Sequence, residues 1–341
     1  MFFSFFEKIS GIRKGEGFAL IFFILQGILL QSGIALGISA SDALFLNRNG
    51  SESLPLLYII MPVVMVLFIP LLSFSMYRFH IRKFMEGIHI LIAVLSLGAY
   101  FLSLKEAGWV FYALKLNAYL WMVSLYSIFW NQVDHYYTAI EARRLYPLLS
   151  AALSAGAMIG GFLASHFAEH NGVSYLYLLW SGVAIAGFFM QVLFAGRLRL
   201  VFFRENEGET RVRTGQILKY ASTSPYGAML SVSMVFLILM TTFAEYFYLD
   251  IFSENIQNAD SLAAYIGSLF FIANFINLFI NLFVYRLLLR FSGFLFLVPL
   301  QSLLYMGAFL WMYLDYGMNS AIFAFLIYQA IQLSIDLNNW N

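Results

Sequence analysis

Three ionisable residues, Asp42, Lys115 and Glu245, sit inside long apolar runs of this 341-residue chain, where a charge is costly. Such residues turn toward a bundle interior or a water-filled path, and they mark solute and ion routes. Lys115 is the main fixed cation available to an anionic solute, and it shares a helical face with Tyr119, Met122 and Tyr126. Asp42 and Glu245 occupy matching places near the ends of two runs. Gln31 and Ser39 lie along the side of Asp42, and Thr241 stands one turn before Glu245. In another run Asn274, Asn277 and Asn281 recur at helical spacing, and in the last Gln329, Gln332 and Asp336 share a face. Stripes of this kind from several helices would line one cavity. They would equally serve as hydrogen bonds between helices, with no solute involved.

Other chemistries find little support. The chain has no cysteine, which removes thiolate metal sites, disulfides and cysteine nucleophiles. His166-Phe167-Ala168-Glu169-His170 spells a zinc-peptidase pattern, but no third ligand follows at a convincing distance, and polar residues at a membrane surface account for it. There is no phosphate-cradling P-loop to drive the chain by ATP hydrolysis. We expect neither an enzyme, nor a cofactor, nor a metal. A net charge of +1 gives no general attraction to nucleic acid.

The elements that must position these residues are membrane helices. The chain is 62% hydrophobic and 11% charged, against roughly 25% charged in soluble domains. Apolar runs long enough to cross a bilayer fall near 18–46, 54–77, 88–104, 108–130, 147–167, 173–196, 226–250, 262–285, 292–314 and 319–336. Backbone groups in lipid must pair within the chain, so the fold class is an all-α polytopic membrane protein. The first residues read as an amphipathic helix lying in the interface, with Phe2, Phe3, Phe5, Phe6, Ile9 and Ile12 on its apolar face. With the N-terminus inside, 16 of the 19 basic residues fall on inner segments, which satisfies the positive-inside rule. The expected location is a bacterial inner membrane with the N-terminus in the cytoplasm.

The longest polar break, Arg197 to Lys219, carries six basic residues and three glutamates. It divides the chain into an N-terminal six-span half (1–196), a cytoplasmic linker (197–219) and a C-terminal part of about four spans (220–341). Ser41-Asp42-Ala43-Leu44-Phe45-Leu46 resembles Ala244-Glu245-Tyr246-Phe247-Tyr248-Leu249 at the equivalent place in the second part. Such a parallel repeat is the plan of the major facilitator fold, whose site lies at the repeat interface. Gly156, Gly160 and Gly161 give a small-residue helix suited to close packing within the bundle.

The stretch after the fourth run is the most specific. Phe129-Trp130 is followed, ten residues on, by Glu141-Ala142-Arg143-Arg144-Leu145-Tyr146-Pro147-Leu148 and then by the small-residue helix Ala151 to Gly161. This resembles the ATP/ADP translocase family, the nucleotide transporters of plastids and intracellular bacteria. Asp42 to Leu46 and Arg286 to Pro299 are similar to its wider bacterial relatives. The resemblance implies a major-facilitator-like bundle of twelve spans, of which this chain supplies about ten, with at least two more expected beyond residue 341. It implies a secondary transporter whose partner, besides membrane lipid, is a small anionic solute, a nucleotide first among them. Arg143 and Arg144 match the family's cytoplasmic basic pair. Some relatives carry a soluble domain after the membrane part, so the alternative is a non-transporting sensor or anchor module for such a fused domain.

Overall fold

The computed structural model describes residues 16–105, 107–198, 224–284 and 294–331. Among these there is no strand, and ten α-helices follow one another. They are α1 (Gly17–Asn49), α2 (Leu54–Arg78), α3 (Ile81–Ser103), α4 (Gly108–Asp134), α5 (Ala139–Asn171), α6 (Tyr175–Phe194), α7 (Pro225–Asn255), α8 (Ala259–Phe279), α9 (Phe294–Leu314) and α10 (Met318–Ile331). A π-turn, Ile280–Val284, continues α8. Seven of the helices, α1 to α3 and α5 to α8, hold stretches long and apolar enough to cross a membrane. The chain is an integral membrane protein of the all-α class. α9 and α10 contribute shorter apolar stretches, and α4 has Lys115, Asn117, Asn131 and Gln132 interrupting its apolar run. The expected N-terminal amphipathic helix, nearly all of the 197–219 linker, Gln332 and Asp336 lie outside the described residues.

α5 begins eight residues before the apolar run does, and a capping box explains why. Thr138 Oγ1 accepts from the Glu141 backbone N–H, and Glu141 Oε2 accepts from the Thr138 N–H at 2.8 Å, so donors left over at the helix start are satisfied. The Trp130 ring lies 4.7 Å from that of Tyr146, whose hydroxyl donates to Asp134. Trp130, Asp134, Thr138, Glu141 and Tyr146 therefore build the joint between α4 and α5. Arg143 and Arg144 lie on the first turns of α5, their side chains outside the described set.

Small residues decide how α5 packs. A Cβ on Gly156 or Gly160 would fall within 2.5 Å of the Ile28 or Ser32 carbonyl oxygen of α1. One on Gly161 would fall 2.6 Å from the Gly267 carbonyl of α8. Glycine alone permits these approaches. α1 is enclosed by α4, α5, α6 and α8, and α3 lies on α6. On the far side α10 gathers α7, α8 and α9, as α4 meets α1, α2 and α3. Side chains along α2, such as Val66 and Leu67, stay exposed, as a lipid-facing surface should.

Candidate binding cavity

α1 and α4 run antiparallel, and two polar pairs fix their register. Gln26 meets Gln132 near one end, and Asp42 meets Lys115 near the other. α7 reaches the same end as Asp42, where the Asn47 amide donates to the Gln257 carbonyl just past α7. Three helices thus deliver one charge each to a single point. Lys115 Nζ donates to Asp42 Oδ1 and, at 3.4 Å, to Glu245 Oε1. Lys115 and Asp42 are buried, while Glu245 keeps partial exposure. An unpaired buried charge would cost several kcal/mol or more, and here the Lys115 ammonium has a carboxylate partner on each of two other helices.

Below this triad lies a cavity of about 370 Å³, within the range of small-molecule sites. Its lining runs from Gln31 to Asp42 on α1, from Lys115 to Tyr126 on α4 and from Ile238 to Tyr248 on α7. The triad is therefore at one end of the cavity. α8 adds Asn274, and α10 adds Gln329.

The asparagine stripe divides. Asn274 lines the cavity, but Asn277 and Asn281 do not. Asn277 Oδ1 accepts from the Ser154 hydroxyl of α5 at 3.0 Å and from the Asn281 amide at 2.6 Å. All three are buried, yet this part of α8 is turned to α5, where a serine supplies the partner. Lys115 lines the cavity, but not as a free cation: two carboxylates already claim it. His166, Glu169 and His170 are exposed on α5, and among the described residues no cluster of histidine and carboxylate side chains is arranged to hold a metal ion.

Three lining side chains have a donor engaged on their own helix. The Ser41 hydroxyl donates to the Ile38 carbonyl and Thr241 to the Leu237 carbonyl, which leaves their lone pairs toward the cavity. Asn274 Nδ2 donates to the Phe270 carbonyl at 2.9 Å. Its Oδ1 is buried with no hydrogen-bond partner.

Two features escape a reading of the sequence. One is the aromatic wall formed by Tyr248, Phe270, Phe325 and Tyr328, with Tyr248 and Phe270 centred 5.2 and 5.3 Å from Phe325. Its signal was the face on which Phe325, Tyr328 and Gln329 follow at helical spacing, and the place of Tyr248 one turn beyond Glu245. The other is a glutamine chain. Gln26 donates to Gln132 at 2.6 Å, and Gln132 donates to Gln191 of α6 at 3.5 Å.

Comparison of the chain with protein-family models, with curated proteins and with solved structures finds no match.

Proposed function

We propose that this protein is a secondary transporter working by alternating access, with the cavity as its solute seat. One observation carries the reading: a cavity among the apolar helices is bounded by charged residues from both sides of the 199–223 segment, Asp42 and Lys115 before it and Glu245 after it. A membrane anchor needs no such space, and lining helices of that kind would pack it shut, which weighs against the sensor-module alternative.

The helix contacts support a parallel, major-facilitator-like repeat. Exchanging α1 with α7, α2 with α8, α3 with α9 and α4 with α10 turns the contacts of α4 with α1, α2 and α3 into those of α10 with α7, α8 and α9. The same exchange turns the α1–α8 contact into α2–α7, which is also present. With the N-terminus in the cytoplasm of a bacterium, the triad closes the outer end, and the cavity extends inward from it. The two sides would then rock about the seat.

The sequence resemblance favours a nucleotide or another organic anion. The paired state of Lys115 weighs against a polyphosphate, which needs cations free to meet its charges. The test is counterflow in proteoliposomes with a labelled panel of nucleotides, organic anions and organic cations. Saturable exchange of at least one solute, abolished by filling the cavity with Ala118→Trp, is expected. Flux no faster than empty vesicles across the whole panel would overturn transport in favour of the anchor reading.

A further inference from the structure

Resting on that reading, we infer that the cavity is selective for a small organic monocation carrying N–H or N-methyl groups beside an apolar body. The charge is the first argument. Two carboxylates share one ammonium among the lining residues, so the three side chains are formally one positive charge short of balance. A bound monocation lets both carboxylates be ionised in a neutral site, whereas an anion meets no free positive charge in a medium that screens poorly.

The hydrogen-bonding character is the second. Glu245 is the more accessible carboxylate, and its single contact to Lys115 is the longer one. Asn274 Oδ1 is buried, partnerless and on the cavity wall. Ser41 and Thr241 have used their protons on their own helices. These atoms all accept, so the missing partner is a donor or a positive charge. The third is the wall. Tyr119, Tyr126, Tyr248, Phe270, Phe325 and Tyr328 line the same space, and aromatic faces attract ammonium groups when both are out of water. A cation entering here would exchange places with Lys115 at Glu245 and leave Lys115 with Asp42.

The test is equilibrium binding to the purified full chain in nanodiscs. The probes are phenyltrimethylammonium, its uncharged isostere tert-butylbenzene, benzoate and ATP. We expect phenyltrimethylammonium to bind at least tenfold more tightly than tert-butylbenzene, with benzoate and ATP weaker still. Glu245→Gln, which removes one carboxylate while keeping the shape, should weaken the cation at least tenfold and leave tert-butylbenzene unchanged. Equal binding of cation and isostere, or tighter binding of benzoate or ATP, would overturn the inference. If Glu245→Gln fails to fold, the wild-type comparison still decides. Binding is read without flux, so a cation that binds while no solute of the counterflow panel is exchanged upholds this site and removes the transporter reading. Exchange of anions alone does the reverse.

Discussion

The described residues join the two sides of the bundle in two unlike ways. Where α5 meets α8 the backbones approach closely: Gly161 and Gly267 face each other, and the Ser165 and Ser268 hydroxyls bond across at 2.8 Å. Where α4 meets α7 the contact is a charge across a cavity, Lys115 to Glu245. Close packing tolerates almost no displacement. An ion pair beside a polar cavity can be exchanged for another partner. On the proposed function, the first contact would be a pivot that stays and the second a latch that opens.

Four changes would break or sharpen this contrast. The largest effect belongs to Lys115→Met, which leaves two buried carboxylates facing each other. We expect a loss of ~3–5 kcal/mol, the usual cost of removing one partner from a buried charge network, read as a large drop in thermal midpoint in nanodiscs. Adding Asp42→Asn and Glu245→Gln should restore most of it, because a latch of neutral groups of similar shape no longer holds uncompensated charge. A triple variant as unstable as the single one would show that the triad is part of the packing.

Gly267→Leu comes next. Its Cβ would lie 2.7 Å from the Ser165 backbone nitrogen, and backbone cannot step aside as a side chain can. Overpacking of this kind costs roughly 1–3 kcal/mol. Shrinking Ser165 and Ser268 to alanine should not rescue folded yield in size-exclusion chromatography. Rescue would mean that side chains, not backbone, set the distance.

Asn277→Ala should cost about 1–2 kcal/mol, the net worth of one or two ordinary hydrogen bonds, since it removes the acceptor of the Asn281 amide while the Ser154 hydroxyl retains the Ser150 carbonyl. Solute binding should be unchanged, because Asn277 does not line the cavity. A shift in affinity comparable to that of Asn274→Ala would place the whole stripe on the solute path. The smallest effect is expected at Leu67→Ala on α2, within about 0.5 kcal/mol, because a side chain 73% exposed loses no protein contact of consequence. A larger cost would reveal a partner on that face.

The helices were legible in the sequence because lipid imposes one rule over many residues: a run of ~20 apolar side chains is a helix. The start of α5 was not, since Thr138 and Glu141 act locally and extend the helix beyond the apolar run. The places of Asp42, Lys115 and Glu245 could be picked out as costly. Their mutual pairing could not, because it depends on the α1–α4 register and on the approach of α7. For the same reason the asparagine stripe read as one feature. Spacing along α8 states which residues share a face, whereas the neighbour of each stretch, cavity or α5, is set by the rest of the bundle. The aromatic wall was hidden by abundance, with 37 phenylalanines and 21 tyrosines in the chain.

The glutamine chain has a mechanical consequence. Gln26, Gln132 and Gln191 are fully buried on α1, α4 and α6, so each amide depends on the next for its partner. A helix turns 100° per residue, so slipping any one of the three by a single position would carry its amide away from the others and into hydrocarbon. The three helices are thereby keyed to one another like wards in a lock. Separating any one of them from the other two would leave buried amides without partners, which an apolar interior penalises.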